Sequence, residues 1–226
     1  MEQDSPNYNL IEEYLYLGDI GVAENIELLK KLNIKRVLSL INDEPLENID
    51  PQITYKWCDI VDSETQDILS ILPDCCQFIL DGQQIKENIY IHCHAGISRS
   101  GAIVTGFLMK KYNLCCYDAI KKVREIRDIS PNDGFKEQLI LFREMNYETN
   151  VMYKPYRWLL FFNILKKWWH IDWPDCSKAP LRRSLDRNFN FYFEKFKNSN
   201  IVSSTYHCIQ CQTILFQIQL GRRQCE

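Results

Sequence analysis

A cysteine and an arginine lie six positions apart in a short stretch of the chain that also contains a glycine. Cys93 and Arg99 follow the apolar residues 89–91 and precede residues 101–112, which have the pattern of a helix. A loop between a strand and a helix presents backbone N–H groups, backed by the helix N-terminus, to an anion such as phosphate. The arginine adds a planar donor for two phosphate oxygens, and such positive surroundings lower the pKa of a thiol. The stretch therefore predicts a nucleophile and its phosphate receptor in one loop.

The residues around this pair strengthen the interpretation. A Cys-x5-Arg spacing alone is a weak signal, because the chain contains 10 cysteines. Here the spacing follows a predicted strand, includes Gly96 and is followed by Ser100, a hydroxyl within reach of the loop. We expect the substrate phosphate to be bound by the residues between the cysteine and the arginine, which are His94, Ala95, Gly96, Ile97 and Ser98.

Hydrolysis of a phosphate ester by a cysteine needs a second group. Attack of the thiolate on phosphorus expels an alkoxide or phenoxide that must gain a proton, and the water that hydrolyses the thiophosphate must lose one. A carboxylic acid opposite the thiolate can carry both protons. The loop after the third predicted strand supplies four candidates, Asp59, Asp62, Glu64 and Asp67. A strand-end position for Asp59 and a helix N-terminal position for Glu64 and Asp67 are structural alternatives.

Strands and helices alternate along the first part of the chain. Short apolar runs predict strands at residues 14–17, 36–41, 53–60 and 88–92. Helical periodicity predicts helices at residues 22–32, 68–84, 101–112, 117–126 and 134–145. This order predicts an α/β fold with a central, mostly parallel sheet flanked by helices. Cys93 then lies at the carboxyl end of a strand, where open α/β sheets bind their ligands.

The chain is expected to consist of a catalytic domain and a C-terminal appendage. A length of 226 residues accommodates one domain of ordinary size with an addition. We place the catalytic domain at residues 1–150, an aromatic and basic helix with a linker at 151–190, and a small irregular segment at 191–226. The aromatic residues 151–170 are expected to form one helix that packs back on the domain.

The loop resembles that of the cysteine-dependent dual-specificity protein phosphatases, which reads His-Cys-x-x-Gly-x-x-Arg-Ser/Thr. His92, Cys93, Gly96, Arg99 and Ser100 fill its defined positions. The resemblance implies a protein-tyrosine-phosphatase-like fold and hydrolysis through a thiophosphoryl-cysteine intermediate. No cofactor is expected for catalysis, because the arginine and the backbone dipoles supply the electrostatic stabilisation.

The same resemblance implies roles for individual residues. Asp62 matches the position of the family's general acid and base. Ser100 supports departure of the Cys93 thiolate in the second step, while His92 orders the loop. The family also carries a motif similar to Pro-Asn-Asp-Gly-Phe-x-x-Gln-Leu, which begins here at residue 131. That motif reads as a turn and a helix start, with Asn132 bonded to the phosphate loop.

We expect a phosphatase that acts on phosphotyrosine and on phosphoserine or phosphothreonine of proteins. A phosphatase for RNA 5′ ends or phosphoinositides is one alternative, although the loop contains no lysine that would indicate a polyanionic substrate. A scaffold or assembly factor with incidental catalysis is a second alternative, and the presence of Cys93, Arg99 and Asp62 argues against an inactive enzyme.

The C-terminal segment contains part of a zinc-site motif. Cys208 and Cys211 have the spacing of two thiolate ligands of one metal ion, and Cys225 is available as a third. The sequence around them resembles the opening of a zinc domain in one branch of the same family, which implies ribosome-assembly partners. Zinc is therefore possible in this segment only.

Composition and termini predict the compartment and the partners. The N-terminus has no secretory signal and no apolar run reaches the length of a membrane span. Ten cysteines without an export signal favour a reducing compartment, the cytoplasm or the nucleus. A net charge of −3 gives no reason to expect nucleic acid or an anionic membrane as a partner. Phosphorylated proteins are the expected partners.

Overall fold

The computed structural model describes residues 7–46, 49–169, 202–207 and 214–220. Its contacts divide the chain into two compact units, Met1–Tyr156 and Arg157–Glu226. The division lies a few residues beyond the predicted end of the catalytic domain at residue 150.

A five-stranded sheet forms the centre of the first unit, in the order β1-β2-β5-β3-β4. The strands are β1 (Tyr8–Glu12), β2 (Leu15–Gly18), β3 (Ile34–Leu40), β4 (Thr54–Cys58) and β5 (Asn88–His92). β1 pairs with β2 in antiparallel fashion, and all other neighbours are parallel. The predicted mostly parallel α/β sheet is confirmed. β5 is its central strand and is buried from Ile89 to His92, so it holds the start of the cysteine loop firmly.

Helices surround the sheet. They are α1 (Ile20–Glu24), α2 (Ile26–Lys31), α3 (Leu72–Gln84), α4 (Arg99–Tyr112), α5 (Cys116–Arg124) and α6 (Asp133–Glu144). α4 is buried continuously from Arg99 to Met109 and packs against α3, α5, α6 and the sheet. Because α4 begins at Arg99, the helix that follows the cysteine loop is fixed on several sides.

Two local features differ from the sequence-based expectations. β1 is not signalled by the sequence, because Ile11 is the single buried residue on this edge strand and an alternating pattern is missing. The periodicity of residues 22–32 predicts one helix, but the chain forms α1 and α2 with a break at Asn25. The Asn25 side chain accepts a hydrogen bond of 3.0 Å from the Leu28 N–H and so caps a new helix.

The start of α3 also lies later than periodicity predicts, at Leu72 instead of residue 68. Pro73 occupies the first turn, where its missing N–H costs nothing. The preceding N–H groups of Ile68 and Leu69 donate to the Gln138 side chain, at 2.7 and 3.3 Å. The residues before α3 are thus fixed by α6 and do not continue the helix.

The aromatic segment forms one helix, α7 (Lys154–Trp169). At its start Tyr156 is buried in the first unit and donates a hydrogen bond of 3.1 Å to Asp67 Oδ2. Residues 170–201, which include the predicted linker, lie outside the described part of the chain.

The second unit contains an antiparallel pair of strands, β6 (Val202–His207) and β7 (Ile214–Leu220). Cys208, Cys211 and Cys225 lie outside the described residues, so their zinc site remains a prediction. Within the described ranges, no group of three or more His, Cys, Asp and Glu side chains is arranged to hold a metal ion. No helix in those ranges is both long and apolar enough to cross a bilayer.

Candidate active site

Cys93 lies at the bottom of a loop between β5 and α4, which we name the phosphate loop (residues 93–99). The side chain is 2% exposed. Its Sγ accepts hydrogen bonds of 3.2 Å from the Gly96 N–H and from the Ser100 hydroxyl. Burial opposes ionisation of the thiol, but the hydrogen bonds from Ser100 and Ile97 and the charge of Arg99 outweigh it, so the pKa of Cys93 lies below its usual value. The thiol is prepared to act as a nucleophile.

The backbone of the phosphate loop turns its carbonyl groups outward. Four consecutive carbonyls, those of residues 94–97, accept hydrogen bonds from outside the loop. The donors are the Ile20 N–H to His94 O at 3.0 Å, Arg127 Nη2 to Ala95 O and Arg127 Nε to Gly96 O at 2.9 Å each, and the Ser130 N–H to Ile97 O at 3.1 Å. With the carbonyls held outward, the peptide N–H groups are left for the concave side, as an anion site requires.

Gly96 makes this conformation possible. Its φ of +70° lies in the left-handed region, where side chains other than glycine are strained. A Cβ atom at this position would also overlap the Gly18 carbonyl at the end of β2. The glycine of the motif is therefore required both by the turn and by close contact with the neighbouring strand.

Arg127 supports the phosphate loop, and the sequence does not reveal this contact. It is 7% exposed, and besides the two loop carbonyls its Nη1 donates to the side chains of Asn7 and Asn9, at 2.9 and 3.0 Å. One guanidinium thus connects the phosphate loop to the N-terminal edge of the sheet. An arginine close to a helix end is too common a feature to signal this role.

Arg99 places its guanidinium on the opposite side of the loop. The side chain is 6% exposed, and its Nη1 donates to the Asn42 side chain at 3.4 Å and to the Ile60 carbonyl at 3.3 Å. Among the described residues, its buried Nε has no hydrogen-bond partner. A buried N–H of a cation is costly when it is left unpaired. A phosphate oxygen would satisfy it.

Asp62 lies over the phosphate loop, on a segment that we name the acid loop (residues 59–67). Its Oδ1 accepts hydrogen bonds from Ser98 Oγ at 2.7 Å and from Asn132 Nδ2 at 2.8 Å. Both donors bind the same oxygen, so within the described part of the chain Oδ2 remains available to exchange a proton. The structure thus brings the predicted acid to the loop that contains the predicted nucleophile.

Asn132 has a fixed side-chain orientation. Its Oδ1 accepts a hydrogen bond of 2.9 Å from the Phe135 N–H, which caps α6. Its amide nitrogen therefore faces Asp62, and its backbone N–H donates to Ser98 Oγ at 3.2 Å. The sequence suggests a bond from Asn132 to the phosphate loop, and the structure adds the bond to Asp62.

The other candidate acids occupy different surroundings. Asp59 and Glu64 are exposed, as Asp62 is, but within the described ranges they lack its bonds to Ser98 and Asn132. Asp67 accepts hydrogen bonds from the Ser70 N–H and from the Tyr156 hydroxyl. Gln138, which is fully buried, also bonds to the end of the acid loop through the Gln66 carbonyl at 2.8 Å. Its Oε1 holds the residues that precede α3, so one side chain of α6 braces the acid loop.

Histidines flank Cys93 on both sides and differ in their surroundings. His92 is fully buried between Ser39, whose hydroxyl contacts Nε2, and the Cys93 carbonyl, 3.2 Å from Nδ1. Burial lowers the pKa of His92 to about 4, so the ring is neutral near pH 7 and orders the loop without a charge. His94 is exposed and lies 2.7 Å from Asp43 Oδ2. Ala95 and Ile97 are exposed as well.

The arrangement has the parts required for two-step transfer of a phosphoryl group. The Cys93 thiol is buried, has a lowered pKa and lies in a loop whose carbonyls are held outward. Arg99 lies on one side of this loop, with a buried Nε that has no partner among the described residues. The Asp62 carboxylate lies above the loop. Each has a position that suits nucleophilic attack, charge stabilisation and proton transfer.

Comparison with known proteins agrees with this geometry. A family described as "Dual specificity phosphatase, catalytic domain" matches residues 15–145. Dual specificity protein phosphatase 19 of Mus musculus is 37% identical over 143 residues, which are 62% of this chain and 64% of the relative. Dual specificity protein phosphatase 12 of Homo sapiens is 32% identical over 154 residues, which are 65% of this chain and 45% of the relative. The chain thus spans less than two thirds of the length of these curated relatives.

Solved structures share the fold. The human tyrosine phosphatase-like serine/threonine/tyrosine-interacting protein superposes with a TM-score of 0.59 at 27% identity, over 62% of this chain and 98% of that chain. The Yvh1 phosphatase domain from Chaetomium thermophilum gives a TM-score of 0.56 at 28% identity, over 63% and 99%. The match to residues 15–145 contains the phosphate loop, the acid loop and Asn132, whereas Asn7 and Asn9 precede it.

Proposed function

The chain belongs to the dual specificity phosphatase family, and on that premise we propose that it is a cysteine-dependent protein phosphatase. We propose that it hydrolyses phosphotyrosine and phosphoserine or phosphothreonine through a thiophosphoryl-cysteine intermediate. The observation that supports this most directly is the hydrogen bond between Ser98 and Asp62. It joins the proposed acid to the same loop that carries Cys93 and Arg99.

In the first step the Cys93 thiolate attacks phosphorus and the bond to the ester oxygen breaks. The leaving oxygen takes a proton from Asp62, whose Oδ2 faces no donor among the described residues. Negative charge on the phosphoryl oxygens is stabilised by the loop N–H groups and by Arg99, whose Nε has no partner in the described ranges and is available for one of them. The products of the step are the free alcohol or phenol and a phosphorylated Cys93.

In the second step a water molecule attacks phosphorus while the ionised Asp62 removes its proton. The sulfur–phosphorus bond breaks and Cys93 leaves as a thiolate. The hydroxyl of Ser100, 3.2 Å from Sγ, stabilises that thiolate as it departs. The reaction releases inorganic phosphate and restores the starting state of the site.

The side chains around the phosphate loop favour a protein substrate over a polyanion. Positions 94, 95 and 97 carry His, Ala and Ile, and no lysine lies in the loop. The exposed carboxylate of Asp43 pairs with His94 of this loop, and the acid loop carries two further exposed carboxylates, Asp59 and Glu64. These would repel the additional phosphates of an RNA 5′ end or a phosphoinositide. A single phosphate on a peptide meets less repulsion.

A substrate panel tests the proposal. The purified chain is assayed on phosphotyrosine, phosphoserine and phosphothreonine peptides, on phosphoinositides and on 5′-triphosphate RNA, with Cys93→Ser as the control. We expect turnover of the peptides, with loss of that turnover in Cys93→Ser. Turnover that survives in Cys93→Ser would contradict the mechanism, and turnover confined to RNA or lipid would contradict the substrate class.

We also propose a reducing compartment, the cytoplasm or the nucleus, because the Cys93 thiolate must stay reduced to act. Zinc bound by Cys208, Cys211 and Cys225 remains a separate proposal that rests on their spacing. Metal analysis of the purified chain tests it, and a zinc content near zero would contradict it.

A further inference from the structure

Two cysteines outside the candidate active site lie side by side. Cys58 ends β4, and Cys75 lies in the first turns of α3; both are free thiols. Their sulfur atoms are 4.0 Å apart, which places the two thiols in hydrogen-bonding contact. An ion pair between Lys56 and Asp74, at 3.2 Å, joins the same two elements directly beside them.

The two thiols differ in exposure and in reactivity. Cys58 is half-buried and Cys75 is buried. The hydrogen bond with Cys75 lowers the pKa of Cys58 despite burial, and Lys56 contributes in the same direction. That hydrogen bond and burial raise the pKa of Cys75 well above its usual value. The more accessible sulfur is therefore also the one that ionises more readily.

We propose that Cys58 and Cys75 form an oxidative modification site, at which a hydroperoxide converts the two thiols into a disulfide between β4 and α3. The Cys58 thiolate attacks hydrogen peroxide, the O–O bond breaks, and the departing hydroxide takes the proton that the Cys58 thiol released on ionisation, which gives one water. Cys58 is then a sulfenic acid. The Cys75 sulfur attacks the Cys58 sulfur, the S–O bond breaks, and the departing hydroxide takes the Cys75 proton to form a second water. Two electrons pass from the two thiols to the peroxide.

The fold permits the approach that the bond requires. A disulfide has a sulfur–sulfur distance of about 2.05 Å, so the sulfurs must move closer by roughly 2 Å. Among the strands that the structure describes, β4 is an edge strand that pairs with β3 alone, and Cys58, opposite Leu40, is the last paired residue of that ladder. A small shift of Cys58 therefore disturbs the end of a single strand pair.

Mass spectrometry tests the proposal on the full chain. A Cys93→Ser background removes competition from the active-site thiol, and the readout does not depend on phosphatase activity. The reduced protein is treated with stoichiometric hydrogen peroxide, its remaining thiols are alkylated, and it is digested without reduction. We expect a peptide in which Cys58 is linked to Cys75, which disappears on treatment with a dithiol reductant.

Variants define the two roles and the control. Cys58→Ser and Cys75→Ala should each abolish the linked peptide, and in Cys75→Ala a sulfenic acid should persist at Cys58 and be trapped by dimedone. Cys76→Ala is the matched control, because Cys76 is the buried neighbour of Cys75 on the same helix. It should leave the linkage intact. Recovery of Cys58 and Cys75 as alkylated thiols after peroxide treatment, or linkage of Cys58 to another cysteine, would overturn the proposal.

Discussion

Ser98 Oγ donates a hydrogen bond of 2.7 Å to Asp62 Oδ1, although the two residues belong to different loops. Ser98 is part of the phosphate loop, and Asp62 is part of the acid loop after β4. Asn132 donates to the same oxygen at 2.8 Å. The carboxylate is thus oriented by two donors before any substrate is present, which reduces the reorganisation needed for proton transfer.

Replacement of Asp62 by asparagine tests the acid directly. We expect Asp62→Asn to lower kcat by roughly 10²- to 10³-fold, because the leaving group must depart without a proton donor. Binding of a phosphate analogue such as tungstate should be nearly unchanged. Steady-state kinetics with an aryl phosphate and a phosphopeptide provide the measurement. Asp59→Asn and Glu64→Gln serve as controls, and a larger loss in either of them would reassign the acid.

Replacement of Asn132 separates its two contacts. Asn132→Ser retains a side chain that caps α6, but the shorter side chain does not reach Asp62. We expect kcat to fall roughly tenfold with unchanged thermal stability. Asn132→Ala loses the cap as well and should lower the free energy of unfolding by about 1 kcal/mol. Equal kcat values for Asn132→Ser and the parent chain would show that this residue only caps the helix.

Arg127→Lys tests the support of the phosphate loop. Lysine keeps the charge but cannot donate at once to the Ala95 and Gly96 carbonyls and to the N-terminal asparagines. We expect the free energy of unfolding to fall by about 3 kcal/mol and the dissociation constant for tungstate to rise.

Urea unfolding and tungstate titration provide these two measurements for Arg127. Arg143→Lys, on the exposed face of α6, is the matched control and should change neither quantity. Tungstate binding that stays normal in Arg127→Lys would limit Arg127 to a role in stability.

The lowered pKa of Cys93 predicts a pH dependence of thiol alkylation. Iodoacetate reacts with the thiolate, so the rate should rise with pH around a midpoint below the value of about 8.5 for an ordinary cysteine. Ser100→Ala removes a donor that stabilises the charged form, so its midpoint should move to higher pH. Loss of the fast reaction in Cys93→Ser identifies the thiol. A midpoint that is the same in Ser100→Ala and the parent would remove Ser100 from this role.

The nucleophile, the arginine and the architecture are accessible from the sequence because their signals are local. Cys93, Gly96, Arg99 and Ser100 lie within one contiguous loop, and the run of apolar residues before it marks a buried strand. The backbone at Gly96 is left-handed, a conformation that glycine adopts without strain. In these cases the neighbouring residues alone determine the local structure.

The supporting contacts are not accessible in this way, because they join segments far apart in the chain. Arg127 bonds to backbone carbonyls and to Asn7 and Asn9. Because every residue has a backbone carbonyl, no residue type in the sequence marks the partners of this arginine. Gln138 likewise bonds to backbone groups that precede α3. β1 lacks an alternating pattern since it is an edge strand. Such features depend on the tertiary fold and leave no local pattern.

The outward-facing carbonyls of the phosphate loop have a consequence for biogenesis. Their donors include Arg127 and Ser130, which follow Cys93 in the chain and leave the ribosome after it during translation. Contacts between distant segments form only when both are present and docked. A nascent chain that ends before Arg127 therefore carries the cysteine without its assembled anion site. The order of synthesis thus delays assembly of the anion site around this thiol until most of the catalytic domain has been made.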